Sequence, residues 1–386
     1  MQNSLYQKCQ DYQADYVKLW EQLVNIDTGT GYGEGLVRMG GIVLRFLEEL
    51  GAEIKTVDSD TPGAGFNIIA TFSGQGTGSV LAMAHLDTVF PPGTAAKRPF
   101  RIEGEWAYGP GVSDCKGSVA LCLFALKLLQ ETRYGDYGKI TCLFNCDEEI
   151  GSPSSRDLIQ RLTKEHDYVL CCEPGQFGDG VVLSRKGSAV LKVEVHGRAS
   201  HAGNAPQDGR NAIMEMTHQI RQMSALENPA KLTTLNFTTI QGGDRNNVIP
   251  DYAVATADVR VAYPEELDRI EQAARTIAQQ KAIPDTRVEV TLIRHNPPFP
   301  RNESTDALIA TAQQLYGEIG KTLLTNAAGG ASDANWAAAA GATVIDGLGP
   351  VKGGINHTDK ERTAVASVAP RLYLLSRLFM ELGRKG

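Results

Sequence analysis

Three short segments constrain the fold of this chain more than any other feature. "SVLAMAHLD" (79–87), "KITCLFNCDEE" (139–149) and "YVLCCEP" (168–174) are almost unbroken apolar runs that close on His, Asp or Glu. Runs this short suit strands, and strands without polar alternation have both faces covered. Helical stretches separate them: "KGSVALCLFALKLLQET" (116–132) and "SSRDLIQRLTKEH" (154–166). Helical spacing also marks 12–26 and 34–50, while "AEIKTVDS" and "NIIATFSG" read as further strands. The predicted fold is α/β, a mostly parallel sheet covered by helices. Residues 91–112, rich in Pro and Gly, read as a loop.

The character changes near residue 187. "SAVLKVEVHG" alternates apolar and polar, as a half-buried strand does. A helix at about 209–225 follows, then "LTTLNFTTI", "YAVATADVRV", the helix "EELDRIEQAARTIAQQ" and the strand "RVEVTLIRH". The order β-α-β-β-α-β fits a ferredoxin-like α+β unit. We therefore expect one large α/β domain in two pieces, 1–186 and 296–386, with an inserted domain at 187–295.

Composition excludes several function classes. A net charge of −7 gives no electrostatic case for nucleic acid or an anionic membrane surface. No apolar run reaches the roughly 20 residues of a membrane span. The N-terminal residues lack the basic-then-apolar layout of a signal peptide, so a cytoplasmic location is expected. Seven cysteines without regular spacing do not suggest a disulfide framework. Cys142, Cys146, Cys171 and Cys172 read as buried small hydrophobes.

Chemistry concentrates where the strands end. His85 and Asp87 are two apart, so their side chains leave a strand on the same side. Asp114 closes the glycine-rich "AYGPGVSDCKG"; alone, it equally fits a helix N-cap. Glu148 and Glu149 follow a buried strand, Glu173 follows another, and His357 lies in the polar loop "GGINHTDKE". The C-terminal edge of a parallel sheet is where such folds bind ligands. Two histidines with three carboxylates form an N/O donor set suited to zinc. They are too many for one tetrahedral ion but suit two ions sharing a bridging carboxylate, and one glutamate is left over.

At these residues the chain resembles a known family. "HLDTV", "GPGVSDCKG", "DEEIGS", "CEP", "GRASHAG" and "NHTDKE" occur in the order seen in dinuclear zinc exopeptidases and deacylases. That family includes glutamate carboxypeptidase of carboxypeptidase G type, aminoacylase, acetylornithine deacetylase and succinyl-diaminopimelate desuccinylase. The carboxypeptidase G type is the most similar, through "LFNCDEEIGSPSSRDLI", "DYVLCCEP" and "RLYLLSRLFM".

The resemblance implies two Zn2+ per chain, with Co2+ or Mn2+ as substitutes. It assigns His85 and Glu173 to one zinc, Glu149 and His357 to the other, and Asp114 as the bridge. Asp87 would orient His85. Glu148 would be the general base acting on a metal-bridging water. The inserted domain would serve as lid and homodimer surface, with His201 steadying the oxyanion, often across the dimer. Asn247, Arg260 and the loop 327–335 around Gly330 would hold the substrate's carboxylate.

The implied reaction is hydrolysis of an amide bond next to a free carboxylate in a small peptide or N-acyl amino acid. An N-acyl-amino-acid deacylase is the alternative. A non-catalytic, metal-stabilised binding protein is a remote one, since a binder has no use for Glu148. The chain departs from the relatives in three places. Cys115 stands, at a position that is not a ligand, where a second Asp often follows the bridge; Asn296 stands where the carboxypeptidase G type carries a basic residue, and Val181 is the counterpart of another, with Arg185 and Lys186 nearby. Preference for a terminal glutamate therefore does not follow from the resemblance.

Overall fold

In the computed structural model, which describes residues 2–384, the three apolar runs form the middle of a six-stranded sheet. Its strands are β1 (Glu53–Asp58), β2 (Phe66–Ser73), β3 (Ser79–His85), β4 (Lys139–Asn145), β5 (Tyr168–Cys171) and a late strand, Thr343–Ile345, in the order β1-β2-β4-β3-β5-late strand. β4, β3, β5 and the late strand run parallel. Val80, Leu81, Ala82 and Met83 are all 0% exposed. Successive side chains point to opposite faces, so complete burial of consecutive residues means that both faces are covered. Helices Lys116–Glu131 and Val368–Gly383 pack on each other and on β3. Each well-buried Leu, Val or Phe contributes about 1.5–3 kcal/mol.

β1 and β2 depart from the parallel pattern. β1 pairs antiparallel with β2, and β2 antiparallel with β4. The chain reverses between them through a turn closed by the Ser59 N–H donating to the Gly65 carbonyl at 2.9 Å. Residues 91–112 are also more ordered than the sequence suggests. They hold a helical turn, Thr94–Lys97, and two strands, Arg101–Glu103 and Trp106–Tyr108. The two pair antiparallel with each other, and the second also pairs with Arg362–Ala364, far along the chain.

The chain divides into two compact units, one comprising residues 1–184, 301–328 and 332–386, the other 185–300 with 329–331. The second unit contains β6 (Gly187–His196), β7 (Thr234–Gly242), β8 (Tyr252–Val261) and β9 (Arg287–Asn296) in the order β7-β8-β6-β9. All three pairings are antiparallel. Helices Ala212–Met223 and Glu265–Ile277 cover one face, burying Leu191, Val193, Ala257 and Val259 against Met216 and Ile270. This is a ferredoxin-like α+β unit. Asn211 caps the first helix by accepting from the backbone N–H groups of Ile213 and Met214.

All seven cysteines are free and buried. Among the described residues, no helix is long and apolar enough to cross a membrane.

Candidate active site

The first compact unit brings six of the singled-out residues into direct contact. β3 ends at His85, whose Nε2 lies 3.0 Å from Asp114 Oδ1 and 3.7 Å from Glu173 Oε1. His357 Nε2 lies 3.2 Å from Asp114 Oδ2 and 3.1 Å from Glu149 Oε2. Asp114 thus offers one oxygen to each of two donor groups. The inner group, His85, Asp114 and Glu173 with Cys115 beside them, is wholly buried; the outer group, Asp114, Glu149 and His357, reaches the surface through His357. His357 sits at φ 64, a left-handed backbone uncommon for a residue with a side chain. The loop is closed by the Gly353 N–H donating to the Arg362 carbonyl at 2.8 Å.

Asp114 is not a helix cap. The following helix begins at Lys116 with Cys115 at its boundary, and the Asp114 carboxylate turns to the two histidines instead. Asn356 steadies it by donating from Nδ2 to Oδ2 at 3.0 Å. Glu173 lies just past β5 against a close backbone crossing: a side chain at Gly349 would collide with Ser118 Oγ and sit 2.8 Å from the Glu173 carbonyl. Only glycine fits there.

The three consecutive carboxylates point three ways. β4 stops at Asn145, and Glu148–Ile150 form a tight helical turn rather than strand. Asp147 is fully buried and accepts from Ser154 N–H at 2.6 Å and from the Ser155 hydroxyl at 2.5 Å. Glu149 faces His357. Glu148 belongs to neither donor group.

Asp87 does more than orient a ring. His85 Nδ1 lies 3.0 Å from the Asp87 backbone carbonyl and 3.3 Å from its carboxylate. The same carboxylate accepts the backbone N–H groups of Glu148 and Glu149, each at 3.1 Å, and the Thr30 hydroxyl at 2.7 Å. One buried side chain therefore fixes the inner histidine and the backbone of both glutamates.

Charge is unevenly placed. Burial alone would raise the Asp114 carboxyl, but the His357 and His85 rings outweigh it and hold it well below the usual range. Contact with Asp114 and Glu149 raises His357 to about 10. Burial pushes Glu148 well above an ordinary glutamate, and the neighbouring Glu173 charge adds to this. Burial likewise raises Glu149. Its Oε1 is buried with no hydrogen-bond partner. A buried carboxylate oxygen without a donor is costly, and a cation held with His357 and Asp114 would satisfy it. The donor set therefore fits metal ions.

Two further residues carry the site without having been singled out. Glu361, 1% exposed, accepts three backbone N–H groups of the bridge loop: Gly111 at 3.1 Å, Ser113 at 2.9 Å and Asp114 at 3.0 Å. Lys116, fully buried, donates to the Ile26 carbonyl at 2.7 Å, and burial lowers its pKa to about 7. Both residues stand inside quoted motifs, "NHTDKE" and "SDCKG", but bonds to distant backbone leave no spacing to read. Replacing Glu361 by Ala should lower metal affinity about 10–100-fold, as loss of a ligand-positioning group does. Glu361→Gln, which keeps one carbonyl oxygen, should fall between; equilibrium dialysis against a chelator measures both.

The remaining candidates lie in the second unit. His201 Nδ1 accepts the backbone N–H groups of Gly203 and Asn204, each at 3.1 Å, and the Asn247 carbonyl accepts the Ala202 N–H at 2.9 Å. Arg260 Nε is paired with Asp258 at 3.0 Å. The Gly330 carbonyl accepts from Arg185 at 3.2 Å. Val181, in the first unit, is fully buried, and Asn296 donates to the Ser188 hydroxyl at 3.2 Å; neither side chain is basic.

A sheet edge that gathers two histidines around a shared aspartate, with an unshared glutamate beside them, defines a metal-dependent hydrolase. Comparison with known proteins agrees. Residues 81–381 match Peptidase family M20/M25/M40, and the chain belongs to that family. It is 41% identical over 384 residues to Carboxypeptidase G2 of Pseudomonas sp. (strain RS-16), covering 99% of this chain and 92% of the relative. Aminopeptidase PepT from Bacillus cereus ATCC 10987 has a similar fold, with a TM-score of 0.82 at 22% identity, covering 96% of this chain and 98% of that one. So does the YXEP protein of Bacillus subtilis, described as a dinuclear metal-binding peptidase, with a TM-score of 0.71 at 14% identity, covering 97% and 99%.

Proposed function

We propose that this protein is a two-zinc carboxypeptidase that hydrolyses an amide bond next to a free carboxylate. The observation that carries the reading is the division between neighbours. Glu149 belongs to a donor group built around Asp114, whereas Glu148 belongs to none. His85 and Glu173 would hold the inner zinc, Glu149 and His357 the outer one, and Asp114 would bridge them. When bound, the ions would acidify a water and polarise the scissile carbonyl.

Glu148 accepts the proton of the attacking water and delivers it to the departing amine. Burial and the Glu173 charge raise its proton affinity, which favours its accepting the water's proton. Asp87 keeps the Glu148 backbone fixed during them. His201 steadies the oxyanion, Asn247, Arg260 and the Gly330 loop hold the substrate carboxylate, and the inserted domain acts as lid and dimer surface. A panel of N-acyl amino acids and dipeptides tests the reaction. Cleavage only where the terminal carboxylate is free supports it; equal cleavage of terminal amides overturns it. Flat rates across acidic, basic and apolar terminal residues would remove any preference for glutamate.

The two positions should differ in lability. His357 is half exposed, with 51% of its side chain accessible, whereas the inner donors are buried. Zinc release to a chromophoric chelator should be biphasic, the fast phase belonging to the outer position and disappearing in Glu149→Ala. Outer affinity should also depend on pH. His357 has a pKa of about 10 without a cation, so below that pH metal binding must expel its proton. Affinity should then fall about tenfold per unit of falling pH, as titration calorimetry in buffers of different ionisation enthalpy would read.

A further inference from the structure

We propose, on the reading of Glu148 as the general base, that Asp333 is a positioning residue for it: a buried brace that holds both ends of the turn carrying Glu148. Asp333 is 3% exposed and opens the short helix Asp333–Ala339. Its Oδ2 accepts from Asn145 Nδ2 at 2.7 Å, and its Oδ1 accepts the Ser152 hydroxyl. Asn145 is the last residue of β4, and Ser152 lies just beyond the turn Glu148–Ile150. One carboxylate therefore grips the chain before Glu148 and again after it.

The helix does not need this carboxylate. Ser332 caps it: the Ser332 hydroxyl accepts the Ala334 N–H at 3.2 Å, and the Asn335 side chain accepts the Ser332 N–H at 2.9 Å. Nor does it suit a substrate, since the loop 327–335 is expected to cradle an anion, which an acidic side chain would repel. A buried carboxylate is costly unless its oxygens are engaged, and both Asp333 oxygens are engaged by the Glu148 segment. Ser152 stands at φ 58, directly after Gly151 at φ 87, and a left-handed backbone is unfavourable for a residue with a side chain. Such a conformation persists where the surrounding contacts fix it. Asn145 also donates to the Ser155 hydroxyl at 3.2 Å, which in turn donates to Asp147, so the brace continues behind the turn. Asp87 grips the same turn through the Glu148 and Glu149 N–H groups. Glu149 would be held by its zinc as well, but Glu148 has no ligand bond. The base is thus the residue whose placement depends on the turn, and a displacement of about 1 Å can cost a hundredfold in rate.

The test uses the full chain loaded with two equivalents of zinc. Asp333→Asn keeps the size but leaves one acceptor oxygen for two donors. Its kcat should fall about 10–100-fold, with KM little changed and both ions retained. The deciding measurement is the cycle with Glu148→Gln. If Asp333 acts through Glu148, Asp333→Asn should cost the Glu148→Gln enzyme no more than about twofold. The same loss in both backgrounds, an unchanged kcat in Asp333→Asn, or a kcat that falls only in step with bound metal would overturn the proposal. If Asp333→Asn does not fold, Ser152→Ala, which removes one of the two grips, enters the same cycle and should show the same non-additivity. Near-normal kcat in Glu148→Gln alone would overturn the reading of the base itself, before any variant of Asp333 is made.

Discussion

Glu148→Gln should lower kcat by about 10²–10⁴-fold, the usual contribution of a positioned acid–base group, while both metal ions stay bound. The substitution keeps the shape and removes the proton acceptor. The Glu148 backbone N–H still donates to Asp87, so the neighbouring Glu149 is not displaced. KM should change little, because substrate contacts are untouched. The control is Glu149→Gln, one residue away. It should lose metal from the outer position, and added zinc should partly restore activity. Metal analysis alongside steady-state kinetics separates the outcomes. Near-normal kcat in Glu148→Gln would show that another group moves the proton, and loss of metal would show that Glu148 is a ligand.

Asp114→Ala should have the second large effect. Asp114 supplies an oxygen to both donor groups, so its removal should reduce bound metal to less than one ion per chain. Activity should fall by at least about 10³-fold, since Lewis-acid assistance amounts to several kcal/mol. The metal-free protein should respond as well. His357 is raised to about 10, first by Asp114 and then by Glu149, against an ordinary value of about 6.5. A raised histidine contributes stability that is full below the ordinary value and lost as pH rises through the raised one. The metal-free Tm of Asp114→Ala should therefore lie furthest below wild type near pH 6, and the gap should narrow toward pH 10. Calorimetry across that range reads the sign directly; a gap that widens with pH would refute the coupling.

Much of the fold was legible because burial writes itself into short apolar runs. Residues 80–84, a short unbroken apolar run, read as a doubly covered strand, and they form one. The antiparallel direction of β1 and β2 was not legible, since strand direction depends on a turn and not on strand composition. The strands at 101–108 were hidden because each is only three residues long and the third strand of their sheet, residues 362–364, lies some 250 residues later. In the site, His85, Glu149 and Glu173 stood out as charged or ligating residues at the ends of apolar runs, whereas Asp114 and His357, in glycine-rich and polar loops, were recognisable through the ordered motifs of the family resemblance. The structure brings all five together. Glu361 escaped notice because what it does is accept three backbone N–H groups, and any polar residue on a loop offers that capacity. Asp87 was read as a partner of His85, yet its carboxylate also holds two amides whose identity the sequence does not reveal.

The inner donors, from His85 to Glu173, are all synthesised well before His357. β3, β4 and β5 lie within the same early stretch. At about 5–20 residues per second, roughly 10–40 s of translation separate completion of the two ligand sets. Yet the elements that fix and cover the inner donors come later still: Glu361, which holds the Asp114 loop, and helix Val368–Gly383, which packs on β3. Both donor groups therefore reach their final form only when the C-terminal segment returns.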